Sequence, residues 1–131
     1  MNITDKIFIT GHNGMVGSAF LKILKIKGYK NLYFINKKKL DLRNQKKVSD
    51  YFNKIKPDVV IICSARVGGI HANNSFSYEF ISDNLLIQTN LIQSSYQNKV
   101  KKVLFLGSSC IYPKNSKQPM TEKMLLGGYL E

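Results

Sequence analysis

The sequence predicts an α/β fold, a parallel sheet with helices on both faces that stops after about four strands. Three observations carry that expectation: short apolar runs alternate with amphipathic stretches, a glycine-rich turn follows the first run directly, and there is no internal repeat. The 131 residues are enough for one domain with a core, and a hydrophobic share of 44% suits a folded chain.

Each element follows from its pattern. Lys6 to Thr10 is a short apolar run, read as a buried first strand. Met15 to Lys27 sets Val16, Ala19, Phe20, Ile23 and Leu24 on one helical face, and Gly28 ends that helix. Leu32 to Ile35 gives a second strand. Asn44 to Lys56 gives a second helix, with Val48, Tyr51, Phe52 and Ile55 along one side and Pro57 as its stop. Asp58 to Cys63 is a third strand. A glycine-containing loop, Arg66 to Asn74, leads into a helix from about Phe76 to Asn98, whose apolar positions include Phe80, Ile81, Leu85, Ile87, Leu91 and Ile92. Val103 to Leu106 is the fourth strand. Unbroken apolar strands are what a parallel sheet covered on both sides requires. The expected strand order is 3-2-1-4, with the fourth strand at an open edge. Beyond Cys110 the chain reads as loop.

The formal net charge of +12 comes almost wholly from lysines spread along the helices. Arginine, the bidentate reader of phosphates and bases, occurs only as Arg43 and Arg66. The charge therefore reads as solvated helix surface, and no nucleic-acid partner is expected. No stretch approaches the roughly 20 apolar residues of a membrane helix, so no membrane partner is expected either. Met1 to Asp5 lacks the layout of a secretory signal, which makes a cytoplasmic location the default. Cys63 and Cys110 lack CxxC spacing, so neither a metal site nor a disulfide framework is expected.

The chemistry begins at Gly11-His12-Asn13-Gly14-Met15-Val16-Gly17, which joins the first strand to the first helix. Gly11 would permit the tight turn, Gly14 the approach of a pyrophosphate to the backbone, and Gly17 close packing of the helix. The helix N-terminus offers free N–H groups and partial positive charge to the anion. The position of the motif, after a strand and opening a helix, makes it a dinucleotide-binding turn in a Rossmann-type fold. Strand two ends in Ile35-Asn36-Lys37-Lys38-Lys39, with no carboxylate to bond a ribose 2′-hydroxyl and three ammonium groups to attract a 2′-phosphate. The expected cofactor is NADP(H), and Lys37 is the first choice for the phosphate, ahead of Lys38 and Lys39.

The glycine spacing, GxxGxxG, is similar to that of the short-chain dehydrogenase/reductase superfamily. Three further segments narrow the resemblance: Arg66-Val67-Gly68-Gly69-Ile70-His71-Ala72-Asn73-Asn74, then Gly107-Ser108-Ser109-Cys110-Ile111-Tyr112-Pro113-Lys114, then Lys117-Gln118-Pro119-Met120. Together with the turn they resemble the GDP-L-fucose synthase family over essentially the whole chain. That resemblance implies a GDP-sugar substrate, GDP-4-keto-6-deoxymannose, epimerised at C3 and C5 and reduced at C4 with NADPH. It implies that Ser108 hydrogen-bonds the C4 oxygen and that Cys110 is the acid/base partner in epimerisation. On composition alone, Cys110 would instead read as a small filler after a strand. It adds Leu40, Asp41 and Leu42 to the cofactor site, with Asp41-Leu42 at the adenine, and Leu106, Gly107, Ser108 and Ser109 beside it. Cys63-Ser64-Ala65 depart from the small apolar residues that relatives prefer, which bears on cofactor packing.

Family members are longer and homodimeric. Residues 1–131 would be the N-terminal part of the NADP-binding domain, without the C-terminal substrate domain. The family's Tyr-x-x-x-Lys pair would fall beyond Glu131, and Tyr129 has no Lys four residues on, so this chain by itself is expected to be inactive. A fragment, a broken reading frame and a non-catalytic NADP-binding module all fit that end. Another extended short-chain nucleotide-sugar epimerase or reductase is the alternative reading among enzymes.

Overall fold

A computed structural model describes residues 1–130; Glu131 lies outside the described residues. The order of elements is β1 (Ile7–Thr10), α1 (Met15–Ile26), β2 (Leu32–Tyr33), α2 (Gln45–Ile55), β3 (Val59–Ile62), α3 (Ile70–Ser75), α4 (Ser77–Gln97) and β4 (Lys102–Phe105). Two short 3-10 turns follow at Ser109–Ile111 and Glu122–Met124. No helix among the described residues is long and apolar enough to cross a membrane.

All strand pairs are parallel, and the order across the sheet is β2-β1-β3-β4. The expected order 3-2-1-4 is therefore corrected: β3 lies between β1 and β4. The reason is the apolar content of β1 and β3. Every residue of both strands is buried, so these two take the inner positions, in register from Ile7 opposite Val59 to Thr10 opposite Ile62. Asp58 fixes the start of this pairing, because its carboxylate accepts from the Lys6 amide at 2.9 Å. β4 does sit at an edge. Its four residues are exposed, with Phe105 at 46%, so the burial expected of a parallel strand does not extend to it.

Strand alternation splits the core into two layers. Phe8, Val60 and Ile62 face α2 and α4, where they meet Val48, Phe52, Ile55 and Leu91. Ile7, Ile9, Val59 and Ile61 face the other way, against Leu24 and the partly buried Phe20 and Leu21 of α1. Helices thus cover both faces. The expected stripe on α1 is only partly used, since Val16 and Ile23 remain exposed while Leu24 is buried. α2 begins where Asn44 caps it, its side-chain oxygen accepting from the Lys47 amide at 2.9 Å.

Two boundaries differ from expectation. β2 stops at Tyr33 rather than at residue 35, because the chain then leaves the ladder to line a cavity. The stretch expected as loop between Arg66 and Asn74 contains α3, a short helix with little apolar period to announce it. Asn73 steadies its start, donating to the carbonyls of Gly68 and Gly69 at 2.9 and 3.1 Å.

Candidate functional site

Because the sheet is parallel, the C-terminal ends of its strands lie along one rim. A cavity of about 600 Å³ opens there, bounded by residues 10–14, 35–37, 40–43 and 63–67 and by Asp83 and Ile87 of α4.

Its base is the glycine turn. Gly11 has φ +68°, and a Cβ there would stand 2.7 Å from the Cys63 carbonyl oxygen, so the turn closes tightly against the end of β3. A Cβ on Gly17 would overlap the Gly11 carbonyl, which means α1 rests directly on the turn. Gly14 is the N-cap of α1, with no side-chain cap and no acidic residue in the first turn. The first amides of α1 are therefore left for an anion, with the helix dipole behind them.

The second border is the end of β2. Asn13 donates to the Asn36 side-chain oxygen at 2.9 Å, which ties the glycine turn to this strand. The His12 ring packs on Phe34 at 4.9 Å between centroids. Lys37 borders the cavity, and it forms no salt bridge among the described residues. Lys38 and Lys39 are exposed outside the cavity wall.

The third border is a chain of charges that the sequence did not announce. Arg43 holds Asp41 through Nε and Nη2, the latter at 2.6 Å, and reaches Asp83 through Nη1 at 3.0 Å. Asp83 turns its other oxygen to Arg66 Nη1, also at 3.0 Å. The Arg43 guanidinium holds the Asp41 carboxyl at about 2. Asp83 is likewise held below the usual carboxylate range, first by Arg43 and then by Arg66. Asn84 clamps the Arg66 peptide, accepting from its N–H at 2.7 Å and donating to its carbonyl at 2.9 Å. Asn90 donates to the Leu42 carbonyl at 2.9 Å. α4 thus holds two cavity loops at once.

The residues expected around the cofactor divide three ways. Gly11, His12, Asn13, Gly14, Lys37, Leu40, Asp41 and Leu42 all line the cavity. Gly17 lies beneath the turn, whereas Met15 is 87% exposed and Val16 is exposed beside it. Leu106, Gly107, Ser108 and Ser109 follow β4 on the same rim without lining this cavity. With strands spaced about 4.8 Å apart, they stand roughly 10 Å along the rim from the glycine turn. Ser108 opens the 3-10 turn there, and its Oγ accepts from the Cys110 amide at 3.2 Å. Both side chains are exposed, and Cys110 is a free thiol. Cys63, by contrast, borders the cavity, and burial pushes its thiol pKa up.

Arg43, Arg66 and Asp83 are wall residues outside the expected site, although Arg66 opens one of the segments that carry the family resemblance. One signal was present in the sequence. Asp83, Asn84 and Asn90 fall with Ile87 on one face of the helix by their spacing, a polar cluster next to an apolar position.

Residues 7–129 match the NAD dependent epimerase/dehydratase family. GDP-L-fucose synthase 1 of Arabidopsis thaliana is 52% identical over 126 residues, covering 96% of this chain and 39% of its own length. The GDP-L-fucose synthase of Escherichia coli K12 is 47% identical over 127 residues, covering 97% and 40%. A GDP-D-glycero-L-gluco-heptose synthase from Campylobacter jejuni, crystallised in the presence of NADPH, superposes with a TM-score of 0.94 at 40% identity, covering 100% of this chain and 38% of that one. The chain spans about 40% of the length of the curated relatives it matches.

Proposed function

This chain belongs to the NAD dependent epimerase/dehydratase family, and on that premise we propose that it is the N-terminal, NADP(H)-binding part of a GDP-L-fucose synthase. The single observation that carries this reading is 52% identity to a GDP-L-fucose synthase along 96% of the chain. The cavity supports the cofactor half of the proposal. Gly11 and Gly17 stand where any Cβ would collide, α1 leaves its first amides uncapped, and Lys37 brings positive charge to the end of β2. These are the groups a pyrophosphate and a 2′-phosphate require. A homodimer belongs to the same proposal, supported by exposed Tyr78, Ile81, Leu85 and Ile92 on α4. So does the cytoplasmic location.

When bound, the nicotinamide cofactor supplies the hydride for the reduction at C4. The rest of the chemistry falls to side chains. The C4 ketone of the substrate acidifies the hydrogens on C3 and C5, so one polarised oxygen serves both epimerisations. Ser108 is the group to polarise it. Its Oγ already accepts from the Cys110 amide, which leaves the hydroxyl proton for the substrate oxygen. Cys110, exposed two residues on, would exchange the proton at carbon.

A second reading has its own support. The Campylobacter jejuni relative is named for a GDP-heptose and matches the fold at a TM-score of 0.94, so a GDP-linked keto-heptose is the competing substrate. The test is turnover by the full-length gene product supplied with NADPH and each keto-sugar in turn. Formation of GDP-L-fucose from GDP-4-keto-6-deoxymannose, identified by NMR, is the expected result. No turnover of that sugar, with turnover of the heptose, would overturn the substrate assignment.

A further inference from the structure

The wall formed by Asp41, Arg43, Asp83 and Arg66 differs electrically from the rest of the cavity. Two guanidinium groups face two carboxylates at 2.6–3.0 Å, so the wall carries no net charge. A phosphate brought there would meet Asp41 and Asp83 as well as the arginines, and like charges repel. A neutral aromatic ring meets no such penalty. Leu40, Leu42 and Ile87 beside the wall add apolar surface. The positive groups outside these ion pairs, Lys37 near Asp41 and the α1 amides at the glycine turn, also border the cavity.

Within this wall the two arginines are held differently. Arg66 spends one face of its guanidinium on the Phe80 ring, 5.1 Å from its centroid, and its peptide is clamped by Asn84. Arg43 is fixed through all three guanidinium nitrogens, by Asp41 on one side and Asp83 on the other. Hydrogen bonds of this kind lie in the guanidinium plane and leave its faces for stacking. No aromatic ring of the described residues is recorded against Arg43.

We propose that Arg43 is the platform on which the adenine ring of the cofactor stacks, and that Asp83 is the positioning residue that holds its guanidinium in place at the cavity wall. This rests on the reading of the cavity as a dinucleotide site. It assigns the hold on the base to a residue outside the glycine turn and outside the lysine cluster. Asp83 acts through its 3.0 Å contact with Arg43, from a helix that also fixes the Leu42 and Arg66 loops by Asn90 and Asn84.

Three probes separate the outcomes when titrated calorimetrically onto the full-length protein: NADPH, ADP, and reduced nicotinamide mononucleotide, which lacks the adenosine. Arg43→Lys keeps the charge and an ion pair but removes the planar face. It is expected to weaken NADPH and ADP alike by about tenfold, the scale of one base stacked on a side chain, with an unchanged melting curve. Binding of the mononucleotide is expected to stay as in the wild type. Asp83→Asn is expected to give a smaller loss for ADP, about threefold, and none for the mononucleotide. Wild-type ADP affinity in Arg43→Lys would overturn the platform while leaving the cofactor reading intact. So would a loss confined to NADPH, because that would make Arg43 a ligand of the 2′-phosphate. A wild-type protein that binds neither NADPH nor ADP would overturn the cofactor reading, and the platform with it.

Discussion

Asn84 and Arg66 are joined by a pair of hydrogen bonds, 2.7 Å from the Arg66 amide to Asn84 Oδ1 and 2.9 Å from Asn84 Nδ2 to the Arg66 carbonyl. A side-chain amide here does what a neighbouring strand would do, satisfying both backbone polar groups of one residue just past the end of β3. The loop that follows β3 is thereby registered to α4. Asn84→Ala is expected to lower stability by about 1–2 kcal/mol, the loss of two partly buried hydrogen bonds. NADPH affinity is expected to fall as well, because the loop borders the cavity. Urea melts and a cofactor titration check both, and unchanged values in both would show that the clamp is idle.

Acid stability should expose the Asp41–Arg43 pair. The Asp41 carboxyl is lowered from 3.8 to about 2, mainly by the hydrogen bond from Arg43. A depressed acid stabilises the fold above its unfolded pKa, and that contribution is lost as pH falls through the folded value. The difference in melting temperature between wild type and Asp41→Asn is therefore expected to be constant at neutral and mildly acid pH. It should close between about pH 4 and pH 2. The pair is partly exposed, so the difference will be small and is best measured at low salt. A gap that persists unchanged at about pH 2 would contradict the assignment.

Ser108 and Cys110 share one 3-10 turn but are expected to fail differently. In the full-length protein Ser108→Ala should slow reduction and epimerisation together, by about a hundredfold, the scale of one lost oxyanion donor. Cys110→Ser should mainly suppress solvent deuterium exchange at C3 and C5 while leaving hydride transfer to C4. Mass spectrometry of the recovered sugar in heavy water reads the exchange. Unchanged exchange would remove Cys110 from the mechanism.

Local features of this fold are legible in the sequence, and long-range ones are not. Ile7–Thr10 and Val59–Ile62 are visible as strands because each is apolar without interruption, and Gly11 to Gly17 is visible because glycine has few other reasons to recur at that spacing. Lys37 reaches the cavity from the charged end of the second strand, and Asp41 and Leu42 from positions that the family resemblance implies. The strand order differs from the expected one because it depends on which strands are buried on both faces, a property of the assembled sheet. The Arg43–Asp83 contact joins residues 40 positions apart and the Arg66–Asp83 contact residues 17 apart, so neither exists until α4 docks. Lys38 and Lys39 resembled Lys37 in charge and differ from it only in where the backbone leaves them.

If the cavity takes NADP(H) with its extra phosphate at Lys37, as proposed, the two cofactors must respond differently to a change at that residue. NADPH and NADH are titrated onto the full-length protein and onto its Lys37→Glu variant. One charge-assisted contact is worth about 1.5–3 kcal/mol, or roughly ten- to a hundredfold in affinity. A loss of that size is expected for NADPH, with NADH affinity nearly unchanged. Equal losses for the two cofactors, or tighter binding of NADH than NADPH by the wild type, would contradict it.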